Sequence, residues 1–213
     1  MLFRSFKGRL SHYLCEQAHA LTLAPDRAQA LLKQAITTAP AAARPRIELA
    51  ELQHQQGNTA QAIATLKDAV DAAPTAAALI APHLAAFAMA GKPDLSVLEL
   101  LKTVYQHTPS LDVLDAIVTL EASGGDGVTS ARDWYVRHLA HEPSLVAAAK
   151  WIAGEKLEHE HFHPQVQRAL DHAVKPLTRY RCAACGFEAQ QHFWQCPGCQ
   201  AWDSYPARRV EEL

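Results

Sequence analysis

Long apolar runs are scarce in this sequence of 213 residues. The longest, residues 76–91, contains Pro82 and His83 and is shorter than the roughly 20 apolar residues of a membrane-spanning helix. The first residues carry positive charge, but the apolar segment of a secretory signal does not follow them. These absences predict a soluble chain.

Neither positive nor negative charge predominates in the sequence. The formal net charge is −2 and the pI is about 6.6, so no strongly basic surface for nucleic acid is indicated. The sequence has no Gly-x-Ser-x-Gly nucleophile motif and no glycine-rich phosphate loop. We therefore expect neither an enzyme nor a small-molecule substrate.

Glycine and aromatic residues are few, while alanine is abundant, which favours closely packed helices. Against this background Pro40, Pro74, Pro109 and Pro143 recur at spacings of 34, 35 and 34 residues, and each follows a segment of helical apolar periodicity. A period of 34 residues is typical of tetratricopeptide repeats, which are pairs of antiparallel helices. The sequence predicts four to five such pairs.

The second repeat is the clearest, with small residues at Ala50, Ala62 and Ala69 where helices approach closely and Gly57 at the turn. Gly91 should supply the same turn in the third repeat, and residues 123–127 a longer turn in the fourth.

The last predicted helix pair should direct Val166, Leu170 and Ala173 inward. Such repeats stack into a right-handed superhelix whose concave face binds peptides or other proteins. In the second repeat, Arg44, Glu51 and Gln55 are predicted to face a partner there, with ordinary solvated surface residues as the alternative.

Two cysteine pairs near the end of the chain carry the strongest motif: Cys182 and Cys185, then Cys196 and Cys199, each in a Cys-x-x-Cys pattern. Four thiolates at this spacing suit one tetrahedral ion, zinc or iron. Because four cysteines close the coordination shell, the site is predicted to be structural rather than catalytic.

Other interpretations of the cysteines fit less well. A disulfide framework belongs to small secreted domains, and a thioredoxin-type redox site needs a single pair. The fifth cysteine, Cys15, is predicted to be a buried free thiol, so a reducing compartment is expected. Around the metal ligands stand six aromatic residues that predict a small core: Tyr180, Phe187, Phe193, Trp194, Trp202 and Tyr205.

A second cluster contains His159, His161 and His163. Alternate residues do not share one face of a helix, so we interpret it as a polar loop before Pro164 rather than as a metal site.

The predicted fold class is mainly α: a tetratricopeptide-repeat superhelix over residues 1–175, followed by a rubredoxin-like or zinc-ribbon β unit over residues 176–213. This combination resembles the lipopolysaccharide assembly protein B family of Gram-negative bacteria. The matching run includes Cys182, Cys185-Gly186-Phe187, Cys196-Pro197, Cys199 and Trp202. The family's usual chain also has a transmembrane helix and further repeats before the part matched here.

The resemblance implies a non-enzymatic adaptor on the cytoplasmic side of the inner membrane, held there through partners. It implies that the adaptor promotes degradation, by the membrane protease FtsH, of the deacetylase that commits the lipid A pathway. By match to the motif, Cys182, Cys185, Cys196 and Cys199 hold the metal.

Two alternatives remain open at this stage. The cysteine pattern also resembles the zinc finger of a bacterial recombination protein, although acidic residues offset the arginines around it. Iron in the site would instead suggest an electron carrier, although rubredoxins have a longer gap between their cysteine pairs.

Overall fold

The computed structural model describes residues 6–21, 23–90, 95–123, 127–155 and 160–213. The predicted turn at Gly91, most of the turn at 123–127, and His159 lie outside these ranges. Contacts divide the chain into two compact units, Met1–Leu100 and Leu101–Leu213. The second unit contains both helices and the cysteine-rich segment, so the boundary expected at residue 175 stays a prediction.

The first unit is a series of helices of similar length: α1 (Phe6–His19), α2 (Pro25–Thr38), α3 (Arg44–Gln55), α4 (Thr59–Ala72) and α5 (Ala77–Ala90), with a 3-10 turn at Pro74–Ala76. Helix α6 (Leu95–His107) spans the division between the units. Helix α1 packs on α2, and α3 packs on α4. Ala50, Ala62 and Ala69 are fully buried, which confirms that small residues permit the close approach of these helices.

Gly57 closes the turn between α3 and α4 with φ +81°. A Cβ at this position would have open space around it, so the backbone conformation rather than crowding favours glycine. Within α5, Pro82 is exposed and the helix continues through it.

The second unit continues the helices and then changes character. Its helical elements are α7 (Leu111–Ala122), α8 (Gly127–His141), α9 (Leu145–Ala153) and α10 (His163–Val174), with 3-10 turns at Glu160–Phe162 and Val210–Glu212. Strands β1 (Tyr180–Arg181) and β2 (Glu188–Ala189) form an antiparallel pair with Tyr180 opposite Ala189. Helices α2, α4, α6 and α8 each end two residues before a proline of the 34-residue series, as the repeat predicts.

The inward face predicted for the last helix is partly wrong. In α10, Val166 is 41% exposed and Ala173 is exposed, while only Leu170 of the predicted set is half-buried. The half-buried row includes His163 and Gln167 instead. Packing against α9 therefore covers a row that includes Leu170 but is more polar than periodicity indicates, and Val166 and Ala173 lie beside that row.

None of the described helices alone has the length and apolar content needed to cross a membrane. Thr59–Ala72 and Pro74–Ala90 meet that test only as a pair, and they are bent by 117° at their junction.

Candidate metal centre and its docking segment

Two similar backbone turns present the four cysteines. In the first, the Cys182 N–H donates to the Phe187 carbonyl at 2.9 Å, and the Gly186 N–H donates to the Cys182 carbonyl at 2.8 Å. In the second turn, the Cys196 N–H donates to the Ala201 carbonyl at 2.9 Å, and the Gln200 N–H donates to the Cys196 carbonyl at 2.8 Å.

The residue four places after the first cysteine of each turn has a left-handed backbone: φ is +78° at Gly186 and +59° at Gln200. Glycine adopts this conformation freely because it has no Cβ. The equivalent place in the second turn is filled by glutamine, which no motif in the sequence signals.

The sulfur positions fit a tetrahedral ion. All four ligand atoms lie within 4.8 Å of one another, and the Cys182–Cys199 and Cys185–Cys196 Sγ pairs are 3.8 and 3.7 Å apart. A tetrahedron with zinc–sulfur bonds of about 2.3 Å has edges of about 3.8 Å. The predicted set of four cysteines is therefore brought together, and it could bind one metal ion.

The surroundings of the sulfurs favour thiolates at two positions. Although burial raises the pKa of Cys182, hydrogen bonds from Ser204 and from the backbone N–H groups of Ala184 and Cys185 lower it to about 6. Burial likewise opposes ionisation of Cys196, but backbone N–H groups of Cys199 and Gly198 lower its pKa. Each turn thus stabilises negative charge on its first cysteine, the form that binds a metal.

Aromatic side chains pack beside the cysteines around one unpredicted residue, His192. Its ring makes edge contacts with Tyr180, Trp194 and Tyr205 at centroid distances of 5.5, 4.7 and 6.0 Å. Burial lowers the pKa of His192, so the imidazole acts as a neutral core group. Its neighbour Tyr205 donates a hydrogen bond to the Phe187 carbonyl at 3.1 Å.

The predicted small core is only partly closed. Tyr180, Trp202 and Tyr205 are buried, but Phe187 is 44% exposed. Phe187 lies over Gly198, where an added Cβ would stand 3.3 Å from the ring. This aromatic side chain therefore covers the outside of the second cysteine turn.

Residues 209–212, called here the docking segment, attach the cysteine-rich part to helices of the same unit. The Arg209 guanidinium donates twice to the Asp112 carboxylate at the start of α7, at 2.6 and 2.9 Å. It also donates to the Thr178 carbonyl at 2.8 Å and lies 4.1 Å from the centre of the Tyr180 ring. One arginine thus connects α7, the segment before β1 and the aromatic cluster.

Two consecutive carboxylates of the docking segment bind two helix N-termini. Glu211 accepts hydrogen bonds from the Ser144 hydroxyl at 2.7 Å and the Leu145 N–H at 2.6 Å, at the start of α9. Glu212 accepts one from the Leu111 N–H at 2.8 Å, at the start of α7. Free N–H groups and the helix dipole both favour an anion at these places.

These two helices begin with the same tripeptide, Pro-Ser-Leu, at residues 109–111 and 143–145. In each, the serine hydroxyl also accepts a hydrogen bond from the N–H three residues later. The repeated tripeptide is the one signal that could have pointed to paired caps. From the sequence, the arginines and acidic residues around the cysteines were interpreted only as charges that offset one another.

The residues predicted to face a partner lie in the first unit, and they differ in their exposure to solvent. Arg44 is buried and donates to Glu48 and Glu16, each at 2.6 Å. Glu51 and Gln55 line a cleft beside Leu52. No partner is present in the structure, so partner binding by these residues stays a prediction.

Two further candidate residues, Cys15 and His163, contact neighbouring groups of the protein. Cys15 is a buried free thiol, as predicted. Its pKa is raised mainly by burial and secondly by the nearby Glu48 carboxylate. His163 faces the Ile152 carbonyl at 3.2 Å. In the part of the chain that the structure describes, no metal-ligand cluster was found beyond the four cysteines.

Comparison with known proteins confirms both parts. A family model described as a rubredoxin metal binding domain matches residues 180–205, and a tetratricopeptide repeat model matches residues 24–81. The mainly α fold with tetratricopeptide repeats and a small rubredoxin-like β unit is therefore confirmed.

Similarity to curated proteins extends over nearly the whole chain. Lipopolysaccharide assembly protein B of Escherichia coli strain K12 is 25% identical over 96% of this chain and 54% of its own length. The protein of that name from Haemophilus influenzae is 22% identical over 92% of this chain and 50% of its own length. The predicted resemblance is thus confirmed, and the chain spans about half the length of these relatives.

A solved structure supports the repeat fold. The chain described as MamA 41-end from Desulfovibrio magneticus RS-1 aligns with a TM-score of 0.50 and 12% identity, over 79% of this chain and 97% of that one. At this identity, the likeness concerns the fold alone.

Proposed function

We propose that this protein is a non-catalytic adaptor in lipopolysaccharide assembly. In this proposal the repeat helices bind a client protein, and a metal ion in the cysteine site keeps the adjoining helices in a binding-competent arrangement. Similarity over 96% of the chain to relatives named lipopolysaccharide assembly protein B supports the process. The repeats support the mode of action, since stacked helix pairs offer extended surfaces for other proteins.

The observation that carries the proposal is the docking segment. Glu211 and Glu212 bind the N-termini of α9 and α7, and Arg209 pairs with Asp112. The cysteine-rich part is therefore bonded to repeat helices rather than attached by a linker alone. A metal ion that fixes this part also fixes the first turns of two helices, because metal binding energy contributes to folding.

The finer proposal concerns the partners. Following the resemblance, we propose that the client is the deacetylase of the lipid A pathway and that the adaptor presents it to the membrane protease FtsH. The chain works on the cytoplasmic side of the inner membrane, where it is held through these partners. No small-molecule substrate is required for this role.

An affinity pull-down from membranes of the source cell tests the proposal. The bait variants are the intact chain, Cys182→Ser, Arg209→Met and, as matched control, Cys15→Ser. We expect the intact chain and the control to recover the protease or the deacetylase, identified by mass spectrometry. Cys182→Ser should fail to recover these partners because it removes a metal ligand. Arg209→Met should fail because it removes the attachment of the cysteine-rich part to α7. Recovery by none of the four baits would contradict the adaptor role.

The purified protein also allows tests of the two alternative functions, nucleic-acid binding and electron transfer. Arg179 and Arg181 share Glu188, and Arg209 pairs with Asp112, so two carboxylates already offset most of the positive charge of these three arginines. A mobility-shift assay with a steep salt dependence would instead favour nucleic-acid binding. A coloured protein would identify iron, and reversible redox titration would then be needed to support electron transfer.

A further inference from the structure

We propose that a cleft in the first unit binds a basic side chain flanked by apolar residues in a client peptide. The inference deepens the proposed adaptor function and rests on it, because it names the chemistry by which the repeats would select a client. Three observations support the inference: the cavity itself, its apolar floor and the charged residues that line it.

The cleft has a volume of about 220 Å³ and lies among α1, α2 and α3. Its apolar surface includes Leu21, Leu32 and Leu52. Leu21 and Leu52 are partly buried against the core cluster that contains Leu32, so part of their surface remains available. An apolar floor of this kind gives affinity to aliphatic groups through surface removed from water.

The ionisable residues of the lining are two carboxylates, Glu48 and Glu51, and one imidazole, His19. The Glu48 side chain is only 10% exposed. Its Oε1 lies 2.6 Å from Arg44 Nε and 3.2 Å from His19 Nε2. Its Oε2 is buried, and the Cys15 thiol hydrogen-bonds to the same carboxylate. Glu48 is therefore held by neighbours within the protein and adds negative charge beside the cleft, whereas the Glu51 side chain is 40% exposed and is the carboxylate that an entering cation can reach.

The charges do not cancel around Arg44. Its guanidinium contacts both Glu48 and Glu16, so two carboxylates share one cation. Glu51 adds a third carboxylate, whose Oε1 lies 3.4 Å from His83 Nδ1. With neutral histidines these groups sum to −2. Arg44 positions Glu48, while Glu51 and Gln55 line the open side.

These features together select the ligand. Lysine and arginine have long apolar stems that can pack over leucine side chains while their charged ends reach carboxylates. An acidic peptide would be repelled by Glu48 and Glu51, and a purely apolar one would offer no cation to the Glu51 carboxylate. The structure therefore favours a basic residue with apolar neighbours.

Selection from a random heptapeptide phage library tests the proposal on the full chain. Three immobilised baits are needed: the chain itself, Glu51→Gln at the cleft, and Asp71→Asn at an exposed position of α4 away from it. Both variants remove one negative charge from the same unit. We expect the chain and Asp71→Asn to select peptides with lysine or arginine beside leucine, isoleucine, valine or methionine. Glu51→Gln should lose this preference.

One selected peptide, labelled with fluorescein, then gives a quantitative comparison by anisotropy. Replacing its basic residue by norleucine should weaken binding about tenfold, because the alkyl chain keeps the apolar contact but removes the charge-assisted hydrogen bond to the carboxylate. Glu51→Gln should weaken the unmodified peptide and reduce the salt dependence of its binding. Asp71→Asn should change neither.

Selected peptides without basic residues, the same peptides from all three baits, or no selection at all would overturn the inference. The assay contains no cellular partner, so its outcome is separate from that of the membrane pull-down. A basic-apolar preference combined with a failed pull-down would support the cleft and contradict the adaptor role. The reverse combination would support the adaptor and contradict the cleft.

Discussion

Arg209→Met is expected to destabilise the second unit by about 3 kcal/mol, because it leaves the Asp112 carboxylate buried without its partner. Asp112 is only 9% exposed and receives two hydrogen bonds from Arg209. The cost should lie at the low end of the range for buried pairs. Arg209 is itself 22% exposed, and the N-terminus of α7 continues to stabilise the carboxylate.

A double-mutant cycle with Asp112→Asn isolates the pair from the other contacts of Arg209. Urea unfolding at a fixed excess of zinc, followed through tryptophan fluorescence, gives the four free energies of unfolding. We expect a coupling energy of about 2 kcal/mol.

The control is Arg181→Met, which removes an exposed pair with Glu188 and should cost less than about 1 kcal/mol. A coupling below about 0.5 kcal/mol, or an equal cost for the control, would refute the view that Arg209 docks the metal part.

Three further predictions follow from the geometry. Gly186→Ala should cost about 1–2 kcal/mol of metal-bound stability in chelator-challenge experiments, solely through its left-handed backbone, since a Cβ there meets nothing within 4 Å. Cys182→Ser should lower the melting temperature far more than Cys15→Ser, because only the first breaks a four-ligand site; equal melting temperatures would contradict a structural metal. Burial lowers the pKa of His138, which bonds Tyr105 at 2.7 Å. The unfolded chain therefore binds more protons at this histidine. Stability should fall as pH drops through about 6.5 towards the lower folded value, and His138→Asn should flatten that slope in melting curves recorded between pH 5 and 8.

Local signals made the repeat and the metal ligands predictable. A proline every 34 residues ends a helix whatever the distant surroundings, and Ala62 and Ala69 occupy crowded positions within one helix pair. The cysteine spacing likewise specifies a site within a short segment, whose turns are closed by their own backbone hydrogen bonds.

These local patterns could not predict contacts between residues that are far apart in the sequence. Arg44 is buried because Glu16, 28 residues earlier, lies against it in another helix. Glu211 and Glu212 meet partners 66 and 101 residues away. The inward face of α10 was misjudged at Val166 for a related reason: periodicity identifies an apolar row, but the neighbouring helix decides which row is covered.

The docking segment also sets an order of events during synthesis. Asp112 leaves the ribosome's active centre 97 residues before Arg209 is added. At bacterial-type rates of about 5–20 residues per second, that interval lasts roughly 5–20 seconds. During it, the first turns of α7 and α9 have Ser110 and Ser144 as local caps, and α7 also has Asp112, but both lack the carboxylates of the docking segment. The nascent second unit therefore passes through a stage in which two helix ends are open to solvent and to chaperones, until Glu211 and Glu212 are added.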